Sequence, residues 1–234
     1  MKIEIWSDVV CPWCYIGKRR FEKALDTFED KDKVTVIWKS FQLDPNTKTD
    51  PETFTLGHLA QKYGVTEQEA KQMMDNVSSA AAEEGLDYNL DKTTVTNTFR
   101  AHQLIHFAAA HGKQEEAKEK LLHAYFIETK NLDDTSTLLE IGREIGLDPQ
   151  KLVDALTSEK YSHEVRNDQL TAGKLGIKSV PFFVFDRKYG VSGAQSPEVF
   201  LQSLQTSFKE WEDQHKQTLS VIEGESCSPD GDCC

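Results

Sequence analysis

Lys2-Ile3-Glu4-Ile5-Trp6-Ser7-Asp8-Val9-Val10-Cys11-Pro12-Trp13-Cys14-Tyr15-Ile16-Gly17 is the stretch from which the fold is read. Its first residues alternate apolar and charged, the period of a short strand. Beyond the cysteines, Ile16, Arg19-Arg20, Lys23-Ala24 and Phe28 keep a helical rhythm. A Cys-x-x-Cys is thereby placed where a strand hands over to a helix. The first sulfur then lies among unpaired backbone N–H groups at the positive end of the helix dipole. That setting lowers a thiol pKa from about 8.5 into roughly the 3.5–7.5 range. Pro12 suits the first helical turn, where a missing N–H costs nothing. These residues predict a thiol–disulfide redox site, with Cys11 as the attacking thiolate and Cys14, one turn in, as the resolving thiol.

Outward from this stretch, Val34, Val36 and Trp38 alternate with Thr35, Ile37 and Lys39 as a second strand running towards Leu43. Strand–helix–strand in about forty residues is a βαβ unit with parallel strands. From about 52 to 157 the pattern predicts helices only. A capping box at Thr66-Glu67-Gln68-Glu69 opens a helix that stops near Gly85. Later helices end at Gly112 and Gly146, and Asp148-Pro149 starts another. A helix over about 159–175 ends at Gly176. Phe182-Phe183-Val184-Phe185 reads as a buried strand, Tyr189–Gly193 as its hairpin partner, and Ser196-Pro197-Glu198 as the start of a closing helix. The expected organisation is a thioredoxin-like unit over 1–51 and 158–217, a helical insertion over 52–157, and a loose cysteine-containing tail over 218–234.

A chain of 234 residues is long enough for a substantial core. Its net charge of −12 argues against nucleic acid or an anionic membrane as partner. No apolar run reaches membrane-span length, and no signal peptide precedes the first strand, so the expected location is cytoplasmic. In that compartment a Cys-x-x-Cys is catalytic or metal-binding rather than a lasting disulfide. Zinc would require a second ligand pair. His102 and His106 share a helix face at i, i+4 but lack a third ligand at suitable spacing, so no metal is expected.

Ser7-Asp8-Val9-Val10-Cys11-Pro12-Trp13-Cys14-Tyr15-Ile16-Gly17, Asn97-Thr98 with Ala101-His102, Val180-Pro181 and Ser192-Gly193-Ala194-Gln195 together resemble the DsbA-like thioredoxin-fold family, in its FrnE-type branch. The similarity spans roughly residues 2–212. It implies an α/β thioredoxin fold, a central mixed sheet with a large inserted all-α domain. It also implies that Pro181 is cis and faces the cysteines, with Val180 offering its backbone to substrate as a strand edge would. Trp13 either lies over the substrate or simply covers apolar surface, and Asp8 either serves the thiols or ends the strand. Asn97 and His102 either face the cleft or hold helices together.

The function implied is thiol–disulfide exchange with protein or small-molecule thiols and disulfides, glutathione among them, and with no organic cofactor. Two other functions compete. Kappa-class glutathione transferases and hydroxychromene carboxylate isomerases resemble the chain through Asn97, Ala101-His102 and Val180-Pro181, but they have no use for a resolving thiol at position 14. A non-enzymatic polypeptide-binding chaperone is the other. The remaining cysteines, Cys227, Cys233 and Cys234, flank a Pro229-Asp230-Gly231 turn. They read either as an accessory redox pair, Cys227 with Cys233 or Cys234, or as spare thiols with affinity for soft metals.

Overall fold

The computed structural model describes residues 1–215; the tail cysteines, and the pairing expected of them, lie outside the described residues. Four strands form the main sheet: β1 (Lys2–Ser7), β2 (Thr35–Ser40), β5 (Phe182–Phe185) and β6 (Tyr189–Ser192), in the order β2-β1-β5-β6. β1 runs parallel to β2, with Ile3 opposite Val36 and Ile5 opposite Trp38. It runs antiparallel to β5, which pairs antiparallel with β6. The sheet is therefore mixed, as expected.

β1 is buried on both faces, which its alternation alone would not indicate. Ile3 and Ile5 join the principal core, whereas Trp6 points the other way into a smaller cluster with Ala172, Ile177 and Val184. Burial of the charged Glu4 is offset by Arg187, whose Nη2 donates to Glu4 Oε1 at 2.6 Å. The apolar run of β5 follows from its central place between β1 and β6.

Helix α1 (Pro12–Thr27) crosses from β1 to β2 and packs against the closing helix α9 (Pro197–His215). Between β2 and β5 come α2 (Thr55–Tyr63), α3 (Glu67–Glu83), α4 (Phe99–Ala109), α5 (Gln114–Phe126), α6 (Thr135–Glu144), α7 (Pro149–Thr157) and α8 (Ser162–Lys174). The local signals are met: Thr66 and Glu69 form the capping box, and Asp148 caps α7 through the N–H of Lys151 at 3.0 Å. Gly85, Gly112, Gly146 and Gly176 lie at φ of 69–80° just past their helices, where a side chain would be strained. The principal core runs without a break from Ile3, Phe21 and Phe183 into Leu104, Leu121 and Leu152, so the inserted helices share the sheet's interior.

One expectation needs correcting. The segment after residue 50 is not purely helical: β3 (Asp50–Phe54) pairs antiparallel with β4 (Thr94–Val95). Thr55 N donates to Thr93 O at 2.9 Å beside that pair, and Thr93 Oγ1 donates to Thr55 Oγ1. β4 is two residues long and the register is irregular, so no periodicity was available to read. Among the described residues, no helix is long and apolar enough to cross a membrane.

Candidate active site

Cys11 is the residue before the first turn of α1, with φ −90° and ψ 110°, and Pro12 follows at the first helical position. No side chain caps this helix end. Both cysteines are free thiols and almost fully buried, Cys11 at 4% and Cys14 at 1% exposure. The Val180–Pro181 peptide is cis, and the Cys11 thiol donates to the Val180 carbonyl at 3.5 Å. Gly17 on α1 admits the proline loop closely: a Cβ there would meet Pro181 Cγ at 2.9 Å. Arg20 Nη1 donates to Ala194 O at 2.8 Å and Gly193 N to Pro181 O at 2.8 Å, which secures the loop from the other side.

The two thiols are hydrogen-bonded and titrate together. The hydrogen bond to Cys14 pushes the Cys11 pKa up, and burial and the charge of Cys14 push in the same direction. The Cys14 N–H, the helix-end effect expected from sequence, pulls Cys11 down but is outweighed. For Cys14, burial opposes ionisation, yet the hydrogen bond from Cys11 and the positive charge of Lys118 bring its pKa below the usual thiol value. The two sulfurs share one negative charge, which the Lys118 ammonium and the Cys14 N–H at the helix start favour and burial opposes. One proton moving along the shared hydrogen bond transfers the negative charge to Cys11.

Lys118, on α5, is 1% exposed, and its ammonium lies 5.4 Å from the Trp38 ring. Burial pushes its pKa down, while the negative charges of Cys14, Asp8 and Cys11 act to keep it protonated. Sequence reasoning missed this residue. The available signal was its place on the apolar stripe of α5, with Leu121, Leu122 and Tyr125, where a lysine requires a reason.

Asp8 is buried and serves three partners. Oδ1 accepts from Val9 N at 2.8 Å and lies 3.2 Å from His102 Nε2; Oδ2 accepts from Leu43 N at 2.8 Å. Burial raises its pKa, but the hydrogen bond and charge of His102 and the Leu43 N–H win, leaving it below the usual carboxylate value. Burial lowers the pKa of His102 while the hydrogen bond and charge of Asp8 act to raise it; an ionised carboxylate only accepts, so Nε2–H is the donor. Asp8 thus ties the β1–α1 loop to the chain after β2 and to α4. We expect Asp8→Ala to cost about 2–3 kcal/mol by leaving buried donors unpaired, read as a lower denaturant midpoint. The contribution is present above the unfolded pKa and is lost as pH falls through the depressed folded one.

Other candidates fall elsewhere. His106 Nε2 meets Ser40 Oγ at 3.0 Å and Asp168 Oδ2 at 3.2 Å, so the two histidines of α4 serve different carboxylates. Among the described residues no histidine, cysteine and carboxylate group is arranged to hold a metal ion. Asn97 organises the loop after β2: its Nδ2 donates to Thr47 O at 2.7 Å and its Oδ1 accepts from Phe99 N at 2.9 Å. Trp13 is 40% exposed beside the cysteines. It lines, with Cys11, Pro12 and Val180, a cavity of about 350 Å³ roofed by α2 and α3. The Tyr88 hydroxyl donates to Pro12 O at 2.8 Å and fixes the helix start from the insertion side.

Comparison with known proteins extends the geometry. The family described as DSBA-like thioredoxin domain matches residues 2–205. A probable DsbA oxidoreductase from Streptomyces coelicolor is 40% identical, with a TM-score of 0.84 over 99% of this chain and 97% of its own. A 2-hydroxychromene-2-carboxylate isomerase shares the fold at 13% identity and a TM-score of 0.65, over 93% of this chain and 100% of that one. The cytosolic disulfide reductase DsbM from Pseudomonas aeruginosa, solved with GSH, shares it at 17% identity and a TM-score of 0.64, over 89% and 100%.

Proposed function

The chain belongs to the DsbA-like thioredoxin family, and on that premise we propose that it is a cytoplasmic thiol–disulfide oxidoreductase of the FrnE type. The observation carrying this reading is the pair itself: two free thiols at a helix start, one facing the Val180 carbonyl, with the Lys118 side chain buried among their charged neighbours. Cys11, once it holds the negative charge, attacks one sulfur of a substrate disulfide. The Cys11–substrate bond forms as the substrate's S–S bond breaks and its second sulfur leaves as a thiolate. Cys14 gives up its proton to the departed thiolate and attacks the Cys11 sulfur, forming the Cys11–Cys14 disulfide and releasing the first substrate sulfur as a thiolate. Two electrons pass from the dithiol to the substrate, and the reverse sequence oxidises a dithiol. Trp13 and the Val180-Pro181 backbone position the substrate. Protein disulfides and glutathione are the proposed partners.

Insulin reduction with glutathione as electron source is the direct test; a rate equal to that of glutathione alone overturns the proposal. A transferase or isomerase needs a single sulfur, so the hydrogen-bonded Cys14 favours exchange over that reading. Glutathione conjugation retained at full rate by Cys14→Ser would reverse the preference. Refolding assistance that survives combined Cys11→Ser and Cys14→Ser would assign the chaperone reading instead.

A further inference from the structure

Arg20, on α1, joins three parts of the chain through a largely buried side chain. Its Nε donates to Glu84 Oε1 at 2.6 Å, and its Nη1 donates to the Ala194 carbonyl at 2.8 Å. Glu84 lies just past the end of α3 and accepts from Lys23 Nζ at 2.6 Å through its other oxygen. Burial opposes ionisation of Glu84, but the hydrogen bonds from Lys23 and Arg20 hold its pKa below the usual carboxylate value. An ionised carboxylate therefore fixes the plane of the guanidinium. The second donor is left pointing at a backbone carbonyl that packing of α1 on α3 does not require.

The position of that carbonyl gives the contact its meaning. Ala194 follows Gly193, whose N–H donates to Pro181 O at 2.8 Å, so the residues after β6 are tied to the cis-proline loop. Helix α1 meets them closely: a Cβ at Gly17 would come within 2.9 Å of Pro181 Cγ and 3.4 Å of Ala194 Cβ. A helix surface lacking a side chain there admits the loop but offers nothing to stop it sliding. Two polar contacts from α1 oppose sliding, the Cys11 thiol to the Val180 carbonyl at 3.5 Å and Arg20 to Ala194. The first exists only while Cys11 carries its proton. Once Cys11 is joined to a substrate sulfur it has no proton to donate, and the bond from Arg20 persists.

We propose that Arg20, held by Glu84, is a positioning residue for polypeptide substrates, keeping the Val180 backbone aligned with Cys11 throughout the mixed disulfide. The inference rests on the exchange reading and adds to it a residue that does not line the cavity. A small disulfide needs only the Cys11 sulfur, whereas a polypeptide also pairs with the Val180 backbone, so the two substrates respond differently. Loss of the charge-assisted bond that aligns the loop corresponds to about a tenfold weaker hold on the polypeptide.

The test compares glutathione-fed reduction of insulin and of hydroxyethyl disulfide by the full-length protein and its variants. Arg20→Met keeps the apolar stem and removes both donors. Its kcat/KM for insulin should fall about tenfold further than its kcat/KM for hydroxyethyl disulfide, with the extra loss in KM. Glu84→Gln keeps the side-chain shape but releases the guanidinium, and should shift the same ratio severalfold. Lys23→Met removes the other partner of Glu84 at an exposed position and should leave the ratio at its native value. Amide hydrogen exchange at Gly193 should quicken in Arg20→Met and not in Lys23→Met. Equal losses for the two substrates in Arg20→Met, or the same shift of the ratio in Lys23→Met, overturn the inference while leaving exchange intact. If Arg20→Met does not fold, Glu84→Gln decides, and an unchanged ratio there overturns the inference. A native protein that reduces neither substrate faster than glutathione alone removes the exchange reading, and the inference with it.

Discussion

Cys11→Ser is expected to reduce disulfide exchange to the rate of buffer thiols, whereas Cys14→Ser should still attack once and then stall as a mixed disulfide on Cys11. The asymmetry follows from position. Cys11 borders the cavity and faces the Val180 carbonyl, while Cys14 lies one turn into α1 at 1% exposure and reaches substrate only through Cys11. A serine hydroxyl is too weakly acidic to provide the nucleophile that a thiol provides. The two variants should also differ in titration. Cys11 is held up first by its hydrogen bond to Cys14, then by burial, then by the charge of Cys14. Cys14→Ser leaves a single thiol, so that variant should show one ionisation where the native pair shows two coupled ones. Thiolate absorbance against pH measures this. Sustained multiple turnover by Cys14→Ser would contradict the resolving role.

Lys118→Met should slow exchange at neutral pH by roughly ten- to a thousandfold, because an opposite charge near a titrating group shifts its pKa by about 1–3 units. The native ammonium stabilises the thiolate of the pair, and methionine keeps the length and the apolar stem but removes the charge. The pKa of the pair therefore rises and the thiolate fraction below it falls tenfold for each unit. The loss should recover as pH approaches the raised value, which separates an electrostatic role from a purely structural one. Folding should suffer less, since an uncharged side chain avoids the cost of burying an ammonium at 1% exposure. A pH–rate profile for Lys118→Met that overlays the native one would show that the charge has no influence on the thiols.

Features fixed by neighbouring residues were legible in the chain. The strand, the Cys-x-x-Cys and α1 follow one another within a few residues, and periodicity and Pro12 suffice to place them. The Thr66–Glu69 box and the Asp148–Pro149 start act over three residues, and the glycines after the helices over even fewer. Where the sequence resembled a family, Cys11, Cys14, Val180 and Pro181 could be brought together before any coordinates were known. Asp8, Asn97 and His102 could be singled out but not assigned, because each role depends on a partner distant in the chain: His102 and Leu43 for Asp8, Thr47 for Asn97.

Only the tertiary structure decided what surrounds the charge that the two sulfurs share. The local argument, unpaired N–H groups at a helix start, points to Cys11 and is correct about direction. It omits burial of both sulfurs, their mutual hydrogen bond and an ammonium delivered by α5, about a hundred residues along the chain. In a buried site these interactions act across space at low dielectric, where each is stronger than at a surface. The cavity and the β3–β4 pair belong to the same class, since both exist only where segments separated by many residues converge. Sequence by itself determined that two thiols stand at a helix start in a thioredoxin-like sheet; packing of the inserted helices over them determined their charge and what fits beside them.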